Sequence, residues 1–132
     1  EYIQIATLGS IGDFGELTFA RTINNGCFSN ATKGVFGGGV TPGSSDTMEF
    51  VLMASKGNSM DFGNLSASRG EMGGVSSATR GVFAGGRVSP STTELNTMDY
   101  VEFATLGDAV DFGDLDTARR AAGSVSNGHG GL

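Results

Sequence analysis

The sequence contains one motif three times at nearly equal spacing. The motif is Asp-Phe-Gly-x-Leu followed four residues later by Arg, and it occupies residues 13–21, 61–69 and 111–119. Its copies begin 48 and 50 residues apart. A period of this size is typical of a supersecondary unit repeated in tandem, and each such unit is too small to bury its apolar face without a stacked neighbour. The sequence therefore predicts a repeat protein whose units cover one another.

Further blocks recur in the same order and phase, so the repeats can be aligned. An acidic, an aromatic and a β-branched residue stand together at 1–3, 49–51 and 99–101, and Ser-Asn-Ala-Thr at 29–32 returns as Ser-Ser-Ala-Thr at 76–79 and, degraded, at 126–131. The alignment gives a single repeat domain, 1–132, with about 2.7 repeats in approximate units 1–33, 34–80 and 81–132. Because both ends fall inside a repeat, we expect a piece of a longer array or a subunit that other copies complete.

Composition favours an all-β chain with almost no helix. Glycine accounts for 23 of the 132 residues, which is costly inside helices, and no stretch shows a sustained apolar pattern of helical period. Short β-branched or aromatic segments are separated by clusters of Gly, Asn, Ser and Pro, as expected of strands and turns.

The pattern predicts four strands in each repeat. In the middle copy they lie near residues 34–38, 47–54, 60–65 and 70–76. The second of these has counterparts at 2–5 and 100–103, and one side of it is apolar in every copy. The middle copy is apolar on both sides, which predicts that it is covered on both sides. Four antiparallel strands in a unit of about 45 to 50 residues are typical of a β-propeller blade.

The residues resemble the kelch motif. Val-Phe-Gly-Gly-Gly at 35–39, a loop, Met-Glu-Phe at 48–50 and an Arg that opens a later strand match its order, and its double glycine corresponds to Gly38-Gly39 and Gly85-Gly86. The kelch Trp is absent, and Phe14, Phe62 and Phe112 stand in its place. The amino-acid sequence of the repeat is similar to that of kelch-like arrays in structural proteins of tailed phages, especially marine ones. This resemblance covers essentially the whole chain.

The resemblance implies a fold and a function. It implies kelch-like β-propeller blades, forming a partial or multi-chain propeller, in a non-enzymatic structural or adhesive module of a virion tail, fibre or decoration protein. The implied partners are further repeats or other copies of the chain, other virion proteins, and a host surface glycan or protein. The alternative is a cellular, secreted or cell-surface kelch-type domain that binds a protein or a glycan. The loops around Pro42 and Pro90 are the expected binding face, because the loops 40–46 and 87–96 differ in length on otherwise equal units.

Charge and apolar patterning argue against two classes of partner, nucleic acids and membranes. The formal net charge is -6, and the Lys and Arg residues are scattered, so we expect no nucleic-acid partner. No apolar run reaches the length of a membrane span, so we expect no membrane insertion. The single cysteine, Cys27, excludes an internal disulfide, and we expect it to be buried and inert beside Phe28.

Arg21, Arg69 and Arg119 occur once per repeat at one phase. They could form a ring that faces an anionic ligand in a central channel, or each could anchor the neighbouring unit through carbonyls and a carboxylate. We favour anchoring, with an acidic partner such as Asp13, Asp61 or Asp111, because these recur with the same period.

The Asp-Phe-Gly tripeptide also occurs in kinases, but a kinase needs a longer domain and other motifs. We expect each Asp of the tripeptide to cap a turn, each Phe to be buried and each Gly to adopt a conformation closed to other residues. The glycine runs at 37–39 and 85–86 lack a following helix, which favours strands and turns over a phosphate loop.

No residue set has the spacing of a catalytic or metal site. The single histidine, His129, has no second histidine to complete a copper or zinc site, which separates the chain from galactose oxidase, a copper enzyme on a kelch propeller. We therefore expect no enzyme activity, no cofactor and no bound metal, and the sequence does not assign ligand-binding residues.

Overall fold

The structure is a computed structural model that describes residues 1–23 and 26–126. Within these ranges the chain forms short β-strands and no helix, which confirms the all-β prediction. The strands are β1 (Cys27–Ser29), β2 (Lys33–Gly37), β3 (Val40–Thr41), β4 (Gly43–Ser44), β5 (Thr47–Leu52), β6 (Met60–Asn64), β7 (Gly73–Ser76), β8 (Arg80–Ala84), β9 (Thr97–Glu102) and β10 (Val110–Asp114).

Eight of these strands form two equivalent antiparallel sheets. Sheet I has the order β1-β2-β5-β6, sheet II has the order β7-β8-β9-β10, and β3 and β4 form a small hairpin. The strands predicted near 34–38, 47–54 and 60–65 are β2, β5 and β6. The predicted fourth strand of that unit, near 70–76, is β7, and it pairs with β8 in sheet II.

The prediction that these four strands form one sheet was therefore wrong. The reason lies at β6. The free edge of β6 is already occupied, because the N–H groups of Gly107 and Ala109 donate to the carbonyls of Phe62 and Asn64 at 2.7 and 2.8 Å. With no open edge on β6, the chain passes on to begin the next sheet. Each sheet thus starts one strand earlier than the predicted unit.

The repeated Asp-Phe-Gly motif forms a β-bulge on the edge strand. In sheet I, Met48 lies opposite Gly63 and Glu49 opposite Asp61, which leaves Phe62 as the extra residue. Sheet II repeats this arrangement around Phe112. A bulge bends the edge strand and redirects its side chains, and Phe62 is only 2% exposed. The tripeptide is therefore a structural element of the sheet.

Aromatic rings of each sheet pack against glycines of the other. A Cβ at Gly81 of β8 would overlap with the ring of Phe28, and a Cβ at Gly37 of β2 would overlap with the ring of Phe83. The centroids of these two rings are 4.5 Å apart. This is the close approach that the glycine-rich strands predicted. The buried apolar core runs across this junction and comprises Phe28, Val35, Met48, Phe50, Phe62, Leu65, Met72, Phe83, Val101 and Phe103.

The first segment of the chain, residues 1–23, pairs much more sparsely. It forms isolated bridges between Tyr2 and Gly12 and between Thr22 and Val40. The strand predicted at 2–5 is absent from the structure, and Ile3 and Ile5 are 62% and 98% exposed. The equivalent strands β5 and β9 each lie between two neighbours, whereas this segment is bridged at a single position, Tyr2 to Gly12, among the described residues. A segment paired at one position does not form a stable strand in water.

Two further expectations about burial differ from the structure. The middle copy is covered only in part, because Phe50 is buried while Leu52 is 38% exposed. The thiol of Cys27 is exposed, so the expected burial was wrong. Successive side chains of a strand point to opposite faces, and Phe28 takes the inward position in β1.

The two sheets do not close into a ring within the residues that the structure describes, so the propeller remains a prediction. Across 1–23 and 26–126, no helix has the length and apolar character needed to cross a membrane.

We predict that Gly81→Ala destabilises the protein through its contact with Phe28. The added methyl group overlaps with a buried ring that is held between two sheets, which typically costs about 1–3 kcal/mol of unfolding free energy. Urea denaturation measures this change. Gly9→Ala is the matched control, since no described atom lies within 4 Å of a Cβ there. Equal effects of the two substitutions would contradict the packing between the sheets.

Candidate functional site

The junction between sheets I and II contains a buried ion pair. Nη2 of Arg69 donates to Oδ2 of Asp99 at 2.8 Å, and both side chains are inaccessible to solvent. Nη1 of Arg69 donates to the carbonyl of Thr97 at 2.8 Å, and the hydroxyl of Ser66 donates to Oδ1 of Asp99 at 2.7 Å. Arg69 follows β6, whereas Asp99 lies in β9. The pair therefore links one repeat to the next.

An equivalent pair joins the first segment to sheet I. Nη2 of Arg21 lies 3.6 Å from Oε2 of Glu49, and both side chains are again fully buried. The hydroxyls of Thr18 and Ser59 donate to the Glu49 carboxylate. The nitrogens of Arg21 have no acceptor within hydrogen-bonding distance among the described residues, so this pair is held less completely than that of Arg69.

Burial affects both guanidinium groups in the same direction. Desolvation lowers the pKa of Arg69 and of Arg21, and the nearby carboxylates of Asp99 and Glu49 partly offset this shift. Charges removed from water in this way are stable only with a partner of opposite charge. The repeated acid and the repeated Arg thus depend on each other.

Two of the three periodic arginines act as the predicted anchors between units, but their proposed partners were wrong. Asp111 instead accepts a hydrogen bond from the Gly113 N–H at 3.0 Å, which is the predicted turn cap. The partners of the arginines are Glu49 and Asp99, which lie one unit further along the chain. Their signal was present in the sequence, because the acidic residue before the aromatic recurs in the same phase as the Arg.

The third copy differs from the other two at the same positions. Arg119 is exposed, and its Nε donates only to the nearby carbonyl of Thr117, at 3.3 Å. Phe112 is 52% exposed, against the expectation that each Phe of the motif is buried. Phe14 is half-buried and Phe62 is buried, so burial follows whether a next unit covers the motif.

The loops predicted to bind a partner lie side by side. We call residues 40–46 and 87–96 the loop face. The N–H of Ser89 donates to Oγ of Ser44 at 2.6 Å, and the N–H of Ser44 donates to the carbonyl of Ser89 at 3.3 Å. Pro42 and Pro90 are both exposed. Two loops from successive repeats thus form one continuous surface.

Charged side chains border the loop face. Nε of Arg87 binds Oε1 of Glu71 at 2.9 Å, and Arg120 lies 3.5 Å from Glu71 and 3.3 Å from Glu94. Most of these groups retain contact with solvent, so the pairs contribute little to stability. They do leave polar donors and acceptors of both signs beside the exposed loop tips.

A second concave surface, which the sequence reasoning did not assign, lies between the Ser/Asn-rich turns of successive repeats. We call it the turn groove; its volume is about 630 Å³, and Asn30, Lys33, Thr79, Arg80, Glu102 and Phe103 are among the residues that line it. Nδ2 of Asn30 donates to the carbonyl of Ala78 at 3.1 Å, and Oγ of Ser76 donates to the carbonyl of Ser29 at 2.7 Å. These bonds connect the turns across the repeat. The recurrence of Ser-x-Ala-Thr was the signal for this surface.

The described residues hold no group of three or more His, Cys, Asp or Glu side chains placed to bind a metal ion. His129, the only histidine, lies outside the described residues.

Comparison with known proteins adds no family assignment. No protein-family model matches the chain, and a search of curated protein sequences finds no significant match.

We predict that Arg69→Met destabilises the protein far more than Arg80→Met. The first substitution leaves the Asp99 carboxylate buried without its cation, which typically costs about 3–5 kcal/mol. The second breaks the Arg80–Glu102 pair, 3.2 Å long and about half exposed, which is worth about 0–1 kcal/mol. Urea denaturation of both variants measures the difference.

The double variant Arg69→Met with Asp99→Leu should recover much of the loss, because no unpaired buried charge remains. A double variant as unstable as the sum of the two single ones would show that the two residues are not coupled.

Proposed function

We propose that this chain is a non-enzymatic structural and adhesive module of a phage virion, within a tail, a fibre or a decoration protein. Its resemblance to kelch-like arrays in such proteins supports the proposal, together with a fold made of repeated sheets that contact one another through buried groups. The repeats are proposed to belong to a β-propeller that further repeats or other copies complete.

The observation that best supports the proposal is that two loops of different length are hydrogen-bonded to each other on an otherwise periodic scaffold. Ser44 and Ser89 bind each other across successive repeats, so neither loop is an isolated flexible tip. A scaffold that repeats its interior residues while varying its loops acquires an asymmetric binding surface without altering its core.

The chemistry of the loop face suits a polar partner. Its exposed tip at 91–94 reads Ser-Thr-Thr-Glu, and hydroxyl and carboxylate groups supply the donors and acceptors that recognise sugar hydroxyls or a polar protein surface. The net charge of -6 disfavours polyanionic partners. We therefore propose a host surface glycan or protein as the external partner and other virion proteins as the structural ones.

Locating the chain on purified virus particles tests the virion assignment. We expect an antibody against the chain to label the tail, a fibre or the capsid surface of particles from the source of this sequence. Labelling of cellular or secreted material with no particle attached would instead support the alternative, a kelch-type domain that binds a protein or glycan in a cellular setting.

We predict that Thr92→Arg weakens glycan binding on an array by at least about tenfold, because a long charged side chain at the exposed loop tip blocks close approach of a sugar. Thr92 is exposed and makes no described side-chain hydrogen bond. Ala104→Arg is the matched control, since Ala104 is also exposed but lines the turn groove.

The control should bind like the unmodified chain. Loss of binding only in Ala104→Arg would move the binding surface to the turn groove. No glycan binding by the unmodified chain would exclude a glycan as the external partner and leave a host protein and the structural role.

A further inference from the structure

The junction between repeats is built twice in the same way. In each case two N–H groups of a loop donate to two carbonyls on the Asp-Phe-Gly segment of the preceding repeat. The bonds are Gly57 to Phe14 at 2.7 Å, Ser59 to Glu16 at 2.9 Å, Gly107 to Phe62 at 2.7 Å and Ala109 to Asn64 at 2.8 Å. The glycine of the Asp-Phe-Gly segment is essential here, because a Cβ at Gly15 or Gly63 would overlap with the backbone of the docked loop. One unit therefore presents an Asp-Phe-Gly segment and the next presents a loop.

The third copy presents this segment without any of the described residues docked on it. Gly113 has the same kind of backbone, with φ at 123°, yet no described atom lies within 4 Å of a Cβ built there. Phe112 is 52% exposed, whereas the equivalent Phe62 is 2% exposed. On the same face, Val82 is half-buried, whereas its equivalent in sheet I, Val35, is fully buried.

The first segment presents the complementary loop, and no residue in the described part of the chain is docked on it. Gly9 is the equivalent of Gly57 and Gly107, and Leu8 beside it is fully exposed. Ile3 and Ile5 are 62% and 98% exposed, although their equivalents in sheet II, Val101 and Phe103, are 3% and 4% exposed. The two ends of the described chain thus expose the two halves of one interface.

The charges at the two ends are complementary as well. Arg119 has the position of Arg21 and Arg69, and Glu1 has the position of Glu49 and Asp99. Within the described ranges, Arg119 forms no ion pair and neither does Glu1. One end therefore carries the cation of the repeated pair and the other carries its carboxylate.

We propose that the uncovered face of sheet II binds the first segment of a second copy of this chain. The N–H groups of Gly9 and Ile11 in one copy donate to the carbonyls of Phe112 and Asp114 in the other. Arg119 pairs with Glu1 across the contact, and Phe112 is buried. Each copy uses a different surface on each side, so the contact is heterologous and continues into a ring or a filament.

One residue weakens this contact in comparison with the internal ones. Thr18 and Ser66 donate hydroxyl hydrogens to Glu49 and Asp99, but the equivalent position in the third copy is Asp116. A carboxylate has no hydrogen to donate at neutral pH and repels the incoming acid. The association between copies is therefore weaker than the junctions within the chain.

A charge exchange between two variants tests the proposal in solution. Sedimentation of the unmodified 132-residue chain from micromolar to millimolar concentration should show association, and Arg119→Glu should weaken it at least about tenfold, since like charges then meet at the contact. Mixing Arg119→Glu with Glu1→Arg should restore association between the two variants. Asp61→Lys, an exposed charge reversal away from both ends, should associate like the unmodified chain.

A second variant should strengthen the contact. Asp116→Ser recreates the hydroxyl of Ser66 and should raise the association constant about tenfold, through one added hydrogen bond to a charged group and the removal of a like charge. The proposal is overturned if the unmodified chain and Asp116→Ser both stay monomeric at the highest concentration. It is also overturned if Arg119→Glu associates as strongly as the unmodified chain.

This inference rests on the array part of the proposed function, and its test separates the two. Association is measured without particles or glycans, so a monomeric chain would remove docking between copies while binding at the loop face could still be observed. Conversely, if the chain bound no glycan on the array, association between copies could still be observed.

Discussion

The close approach of a loop backbone to the Asp-Phe-Gly glycine of the preceding repeat, seen at Gly15 and Gly63, is the contact on which the structure depends. At Gly15 and Gly63 the next repeat lies where any side chain would stand. The two hydrogen bonds made there occupy the open edge of the sheet, which would otherwise attract other strands. The same contact covers Phe62, and the buried Arg69–Asp99 pair lies at the junction that it closes. Edge protection, core burial and charge pairing are therefore consequences of one backbone arrangement.

The arrangement has a direction along the chain. Each sheet offers the bulge and the Arg on one side and the loop and the acid on the other, so no unit can bind a neighbour through the same surface twice. A buried ion pair is weak evidence for added stability, but an unpaired Arg or acid in this position is strongly unfavourable. An alignment of the two sheets in which Arg69 does not meet an acid is therefore higher in free energy. The same shifted alignments are disfavoured by steric overlap, because the ring of Phe28 packs directly against Gly81. Polar and apolar contacts thus select one alignment.

The sequence predicted those features that are local to one repeat. Strands β2, β5, β6 and β7 were expected close to where they occur, because alternation and turn residues are read along the chain. Features set by a neighbouring repeat were harder to predict. The strand expected at 2–5 does not form, and the described residues bridge this segment only at Tyr2, to Gly12. The side chain that pairs with Arg69 was assigned to the wrong periodic acid, since equal spacing does not say which of two acids lies across a junction. Burial of Phe112 was expected by analogy with Phe62, but burial depends on the next unit and not on the motif.

The contacts divide the chain into positions held by two repeats and positions in the loop face. Residues at the junction, such as Gly63 and Arg69, are held by contacts with two repeats, so a change there affects both. The loops 40–46 and 87–96 branch from the sheets beyond these contacts, and their main mutual constraint is the Ser44–Ser89 pair. They tolerate differences in length because closing a longer surface loop costs little additional entropy. The length and sequence of the loop face can therefore change while the junctions stay the same.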